Sequence, residues 1–115
     1  IFITGASSGI GRALSLKFAS EGWQVIASAR RINLLKSLSS QSVKKNSIKP
    51  IRIDITDNKM VCNKINSIIK TYGIPDIIFL NAGTNNPNSN SIFSLEETRQ
   101  IFETNFFGTL NSLLA

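Results

Sequence analysis

The sequence contains no histidine and a single cysteine, Cys62, among its 115 residues. Without histidine the chain cannot form Ser-His or Cys-His catalytic pairs, nor most zinc sites. One cysteine forms neither an internal disulfide nor a metal cluster. No apolar run approaches the roughly 20 residues that a membrane-spanning helix needs. We therefore expect a cytoplasmic protein with no metal site and no membrane partner.

Acidic residues are also few. The sequence has seven of them and 13 lysines and arginines, which gives a formal net charge of +6. Such an excess is typical of proteins that bind nucleic acid, membrane surfaces or phosphorylated small molecules. The basic residues form no stripe interleaved with aromatic residues, so we expect no nucleic-acid partner. The chain begins and ends inside apolar patterns, which predicts that residues 1–115 are the N-terminal part of one larger domain, truncated at both ends.

A glycine-rich run from Thr4 to Gly11 follows the apolar residues 1–3 and is the most informative motif. A strand, a glycine turn and a helix in this order hold the pyrophosphate of a dinucleotide in α/β proteins. Gly5 permits a tight turn, Gly9 a close approach of phosphate, and Gly11 close packing of helix on strand. The alternative is a turn without a ligand, although three glycines in seven positions carry an entropic cost that such a turn does not require.

Strand-like and helix-like segments alternate four times along the chain. This alternation predicts an α/β fold, a Rossmann-like doubly wound parallel sheet of about four βα units with helices on both faces. The last strand reads as buried on both faces, and the following loop, 84–91, as irregular. Strands are predicted at 1–3, 23–29, 48–55 and 75–80, and helices from the glycine run to Gly22, at 32–38, from 56 or 57 to 73, and from 94 to the end.

Two arginines, Arg30 and Arg31, end the second predicted strand. About twenty residues after the glycine run, NAD-binding proteins place an acidic residue for the adenosine ribose. Guanidinium groups instead suit a 2′-phosphate, which a carboxylate would repel. The pair therefore favours NADP over NAD. The alternative is that both arginines only begin a solvated helix.

Polar residues also follow the third predicted strand. Asp54 is a candidate acceptor for an adenine amino group, and Ile55 a candidate packing partner of the ring. For Asp54 the adenine and a purely structural role both stay open. Thr56 and Asp57 are more simply explained as N-caps of the next helix, and Ser94 as the N-cap of the last one.

The run T-G-A-S-S-G-I-G, with its glycines spaced G-x-x-x-G-x-G, resembles the opening motif of the short-chain dehydrogenase/reductase family. Asn81-Ala82-Gly83 is similar to that family's Asn-Asn-Ala-Gly motif, with Leu80 in place of the first Asn. The resemblance implies that Asn81, Ala82 and Gly83 line the nicotinamide ribose and that Asp54 and Ile55 contact the adenine. It implies that the pyrophosphate and adjoining ribose are held by Gly5, Ser7, Ser8, Gly9, Ile10 and Gly11.

Asn105, followed three residues later by Gly108, resembles the active-site helix of the same family. There the Asn belongs to an Asn-Ser-Tyr-Lys tetrad and holds a water that links the catalytic Lys to solvent. The resemblance implies this catalytic role for Asn105. The alternative is an Asn that caps or kinks its own helix.

The sequence has one tyrosine, Tyr72, and Asp76 rather than a lysine stands four residues later. Tyr72 is therefore expected to be a packing residue, with the Ser, Tyr and Lys of the family beyond Ala115. The resemblance implies an NADP-dependent oxidoreductase of a carbonyl/alcohol pair, inactive as this chain alone. A dinucleotide-binding sensor or scaffold without catalysis is the alternative, whereas nucleotide-sugar epimerases space their glycines differently.

The resemblance also implies a homo-oligomer for the full-length protein, with the helix that carries Asn105 packed on a partner. Phe102, Phe106 and Phe107 on this helix are candidates for such an interface. They are equally candidates for the core, which is the commoner location of phenylalanine at helical spacing.

Overall fold

The structure, a computed structural model, describes residues 1–85 and 94–115. Strands and helices alternate along the described chain, as the sequence predicts. A π-helical turn, Glu103–Gly108, interrupts the last helical segment between α4 and α5. The elements are β1 (Phe2–Thr4), α1 (Gly9–Ser20), β2 (Val25–Ala29), α2 (Ile32–Ser40), β3 (Ile48–Arg52), α3 (Asn58–Tyr72), β4 (Ile78–Phe79), α4 (Leu95–Phe102) and α5 (Thr109–Leu114).

The four described strands form one parallel sheet in the order β3-β2-β1-β4. The chain therefore winds outward from β1 to β3 and then returns to the other side of β1. At such a reversal the connections leave neighbouring strands in opposite directions, which opens a crevice at their carboxyl ends. The predicted doubly wound fold is confirmed.

Two hydrophobic clusters cover the two faces of the sheet, because alternate residues of a strand point to opposite sides. Ile3 and Ala27 pack with Leu35 and Leu38 of α2 on one face. Phe2 and Ile26 pack with the buried residues of α3 on the other. With both faces covered, β1 and β2 are buried along their whole length. This burial explains why their sequences are almost continuously apolar.

Three predicted strands are shorter in the structure. β2 begins at Val25, after a turn in which the Trp23 amide donates to the Phe18 carbonyl. β3 ends at Arg52, because the chain turns at Asp54.

The prediction of a last strand at 75–80, buried on both faces, is wrong. β4 comprises only Ile78 and Phe79, and the Ile78 residue is 54% exposed. The physical reason is its place at the edge of the described sheet, where β4 pairs with β1 alone. The predicted irregular loop extends to residue 91, and its residues 86–91 lie outside the described residues.

The helices follow their predicted caps. The Asp57 carboxylate accepts from the Met60 amide at 2.9 Å, and the Ser94 hydroxyl accepts from the Glu97 amide at 3.4 Å. Asp57 rather than Thr56 is therefore the N-cap of α3. Gly73 follows α3 with a φ of +84°, as a residue after a helix end often does. None of the helices in the described part of the chain is both long and apolar enough to cross a membrane.

Candidate functional site

A cleft of about 780 Å³ opens at the carboxyl ends of the strands. Its walls come from the glycine run after β1, the end of β2, the segment after β3 and the segment after β4. Twelve of the 14 predicted site residues line it: Gly5, Ser7, Ser8, Gly9, Ile10, Arg30, Arg31, Asp54, Ile55, Asn81, Ala82 and Gly83. The other two, Gly11 and Asn105, do not line it, and their contacts are described below.

The three glycines of the run have different surroundings. Gly5 has a φ of +69°, and a Cβ on it would lie 2.6 Å from the Cα of Ala82. A Cβ on Gly11 would lie 2.6 Å from the Gly5 carbonyl oxygen, so α1 packs closely on the end of β1, as the sequence predicts. Gly9 has a φ of +54°, yet a Cβ there would meet nothing within 4 Å. Gly5 and Gly11 therefore serve packing, whereas Gly9 faces open space in the cleft.

The N-terminus of α1 opens onto the cleft without a side-chain cap. Ser8 occupies the N-cap position but makes no capping hydrogen bond, and the first turn holds no acidic residue. By contrast, side chains cap α3 and α4. Amide groups left unpaired at a helix start, together with the helix dipole, favour an anion. Ile10, which the resemblance assigns to the cofactor site, is 72% exposed in this same wall.

Arg31 links the end of β2 to the glycine run. Its Nη2 donates to the hydroxyl of Ser7 at 3.0 Å and to that of Ser8 at 3.1 Å. Arg30 is exposed and lines the same cleft. Within residues 1–85 and 94–115, neither arginine forms an ion pair. The Arg31 guanidinium therefore stands beside two hydroxyl groups, with the Arg30 charge in the wall of the same cleft, an arrangement that suits a phosphate group.

The segment after β3 is folded back on itself. The Asp54 carboxylate accepts from the amide of Thr56 at 3.1 Å and from its hydroxyl at 2.8 Å, while the residue still lines the cleft. The Ile55 residue is 7% exposed, and a Cβ on Gly108 would lie 2.7 Å from its side chain. This packing accounts for Ile55 without a ligand, so its contact with an adenine ring stays a prediction.

The segment after β4 is tied to the end of β1 by Thr4, a residue to which the sequence assigns no separate role. The Thr4 hydroxyl accepts from the Ala82 amide at 3.0 Å. The Asn81 side chain donates to the Thr4 carbonyl at 3.2 Å. These bonds position the segment Asn81-Ala82-Gly83 at the cleft.

Asn105 lies in the π-helical turn and binds a distant backbone. Its Oδ1 accepts from the Thr84 amide at 2.7 Å, and its Nδ2 donates to the Thr84 carbonyl at 2.8 Å. The side chain therefore bridges to the segment after β4 instead of capping its own helix. Sequence reasoning missed Thr84, Asn85 and Thr104, which line the cleft next to this bridge.

Tyr72 lies outside the cleft. It is 38% exposed at the end of α3 and lines a separate groove with Arg52 and Lys64. The phenylalanines of the last helical segment are not in the core either, since Phe102, Phe106 and Phe107 are 57%, 54% and 50% exposed. The core alternative for these three residues is therefore wrong in this structure.

The sequence of the whole chain, residues 1–115, matches the family model of the short chain dehydrogenases. An NADPH-dependent pterin aldehyde reductase of Arabidopsis thaliana is 37% identical over 114 residues, which cover 98% of this chain and 47% of that protein. An uncharacterized oxidoreductase of Listeria monocytogenes is 38% identical over an alignment covering 100% of this chain and 47% of that protein. The chain thus spans about half the length of these relatives.

Solved structures share the fold. The structure of ElxO with NADPH bound matches with a TM-score of 0.88 and 26% identity, over 98% of this chain and 46% of that one. The likeness therefore extends over nearly all of this chain and about half of that one.

Proposed function

Since the chain belongs to the short-chain dehydrogenase/reductase family, we propose that it is the cofactor-binding half of an NADP-dependent oxidoreductase acting on a carbonyl/alcohol pair. One observation carries the preference for NADP. Arg30 and Arg31 follow β2 and line the cleft, Arg31 donates to the hydroxyls of Ser7 and Ser8, and no acid is paired with either arginine among the described residues. The NADPH dependence of the Arabidopsis relative supports this choice.

The described residues fit a dinucleotide along the cleft. The uncapped start of α1 and the open space over Gly9 suit the pyrophosphate. Arg30 and Arg31 would bind the 2′-phosphate, and Asp54 would accept from the adenine amino group. NADP, when bound, supplies or accepts a hydride. The protein would hold the adenine half between the segments after β2 and β3 and the nicotinamide half at the segment after β4.

Asn105 is proposed as the Asn of the family's tetrad. Its side chain uses one N–H donor and one lone pair in the two hydrogen bonds to Thr84. An amide group has a second donor hydrogen and a second lone pair, which would be used for a water. The proton chemistry itself requires a Ser, a Tyr and a Lys, and in the proposal these follow Ala115. Hydride transfer by residues 1–115 alone would contradict it.

A non-catalytic dinucleotide sensor with the same fold is the second candidate. None of the described residues that line the cleft is a tyrosine or a lysine, so the cleft by itself fits a sensor as well as an enzyme. The reading frame beyond Ala115 separates the two. Tyr-x-x-x-Lys with a preceding Ser supports the enzyme, and their absence supports the sensor. For either candidate we propose a cytoplasmic homo-oligomer in which the exposed Phe102, Phe106 and Phe107 contact a partner subunit.

The experiment compares NADPH and NADH binding to the protein expressed from the complete reading frame. We expect NADPH to bind roughly 10- to 100-fold more tightly, because a hydrogen bond to a charged group contributes about 1.5–3 kcal/mol. Arg31→Ala and Arg30→Ala should each weaken NADPH and leave NADH nearly unchanged. Arg52→Ala is the matched control, since it removes an equal charge outside the cleft. Equal affinity for NADH and NADPH would overturn the proposed preference.

A further inference from the structure

The segment Asp54–Thr56 follows β3, contributes Asp54 and Ile55 to the cleft, and is held by three sets of hydrogen bonds. The Asp54 amide donates to the Sδ of Met60 at 3.4 Å. Thr56 donates twice to the Asp54 carboxylate. The Ile55 carbonyl accepts from the Nδ2 of Asn111 at 3.0 Å. The contacts with Met60 and Thr56 are local in sequence, whereas Asn111 is 56 residues from Ile55.

Asn111 is itself oriented by a second contact. Its Oδ1 accepts from the Nδ2 of Asn58 at 3.0 Å, at the start of α3. This bond uses the amide oxygen, so the amide nitrogen faces Ile55. One turn earlier, Gly108 leaves room for the Ile55 side chain, because a Cβ there would lie 2.7 Å from its Cδ1. The carbonyl and the side chain of Ile55 are therefore both seated on the same helix.

The same helical segment also holds the opposite wall of the cleft. Asn105, in the π-helical turn, binds the backbone of Thr84 after β4 with two hydrogen bonds. A π-helical turn is wider than an α-helical one and is frequent at functional sites. Here the turn contains both Asn105, which contacts Thr84, and Gly108, which packs against Ile55, while Asn111 follows in α5. One helix thus spans the two segments to which the halves of a dinucleotide are assigned.

We propose that Asn111 is a positioning residue for the adenine half of the cofactor. Its amide group binds the Ile55 carbonyl, and by fixing this backbone it keeps the neighbouring Asp54 carboxylate at the cleft. This inference rests on the proposed function for the identity of the ligand. The contact with Ile55 itself does not depend on it.

The experiment measures binding of two half-ligands to the protein expressed from its complete reading frame. Adenosine 2′,5′-bisphosphate probes the adenine half, and nicotinamide mononucleotide probes the other half. Asn111→Ala should weaken the bisphosphate about three- to tenfold, in line with the loss of one hydrogen bond. It should leave the affinity for nicotinamide mononucleotide and the kcat at saturating NADPH unchanged. A merely structural defect would affect both halves.

Ser112→Ala is the matched control, because within the described residues the Ser112 hydroxyl donates to the Gly108 carbonyl of its own helical segment, at 2.9 Å, and not to the segment 54–56. Amide hydrogen exchange of residues 54–56 gives a readout without ligand, and it should become faster in Asn111→Ala but not in Ser112→Ala. Asn58→Ala, at an exposed position, removes the bond that orients Asn111. We expect Asn58→Ala to weaken bisphosphate binding by a smaller factor than Asn111→Ala. It therefore replaces Asn111→Ala as the test if that variant does not fold.

The outcomes are distinct. A wild-type protein that binds neither NADPH nor the bisphosphate overturns the proposed function and the inference with it. If the wild type binds the bisphosphate and both Asn variants bind it equally well, the proposed function stands and the role of Asn111 is refuted. Equal weakening of both half-ligands in Asn111→Ala also refutes a positioning role confined to the adenine half.

Discussion

Replacing Gly5 with alanine tests whether the first glycine of the run is required for packing. Its φ of +69° is in the left-handed region, where an L side chain costs about 1–2 kcal/mol. In addition, the new Cβ would lie 2.6 Å from the Cα and 2.9 Å from the N of Ala82. Both atoms belong to the backbone, so the contact is not relieved by a rotamer change. Overpacking of this kind costs about 1–3 kcal/mol more. We expect Gly5→Ala to lower the free energy of unfolding by about 2–5 kcal/mol in total.

Gly9→Ala is the matched control within the same motif. Gly9 also has a positive φ, +54°, but its Cβ would meet nothing within 4 Å. We therefore expect only the backbone strain, about 1–2 kcal/mol. The added methyl group would stand in the open part of the cleft, so Gly9→Ala should weaken NADPH more than its small effect on stability suggests.

Urea denaturation of both variants, followed by circular dichroism, measures the two free energies of unfolding. The structure requires Gly5→Ala to be the less stable of the pair by at least about 1 kcal/mol. Equal stabilities would show that the segment after β4 does not approach the glycine turn as closely as described. The packing argument for Gly5 would then be refuted.

Three further predictions follow from single contacts. Asn105→Ala should lower the free energy of unfolding by about 1–3 kcal/mol, because the backbone amide and carbonyl of Thr84 each lose a hydrogen bond. Asn105→Asp should keep the bond from the Thr84 amide. An unchanged urea midpoint in both variants would refute the bridge. Asp57→Ala should cost about 1 kcal/mol by removing the cap of α3, with Asp57→Ser restoring most of it in the same assay. The hydrogen bond and charge of Glu21 raise the pKa of Lys17. The small contribution of this exposed ion pair to stability is therefore present at neutral pH and is lost as the pH rises through the raised pKa. Lys17→Gln should accordingly flatten the alkaline limb of the stability profile.

Features that depend on neighbouring residues were predictable from the sequence. The N-caps at Asp57 and Ser94 follow from the residue type and its distance to the helix start, and the structure has both bonds. The buried strands β1 and β2 follow from nearly continuous apolar runs, which are typical of strands covered on both faces. The positive φ of Gly5 follows from a turn between strand and helix.

Features that depend on distant residues were not predictable in this way. Nothing in the residues around Asn105 indicates that it bridges to Thr84, because that contact requires the last helix to lie beside the segment after β4. Ile10 is an apolar residue of a helix and is nevertheless 72% exposed, because its place in the fold is the wall of the cleft. The exposure of Ile78 likewise results from the position of β4 at the sheet edge.

The amino-acid sequence by itself determined the order of the elements, the dinucleotide motif and the basic residues at the end of β2, because propensity, capping and charge act over a few residues. Only the tertiary structure decided how these parts form a site. The sheet order brings four strand ends to one cleft, Arg31 reaches Ser7 and Ser8, and one helix contacts both Thr84 and Ile55. The physical reason is that such contacts join residues 21 to 56 positions apart, whose proximity is set by packing rather than by local sequence.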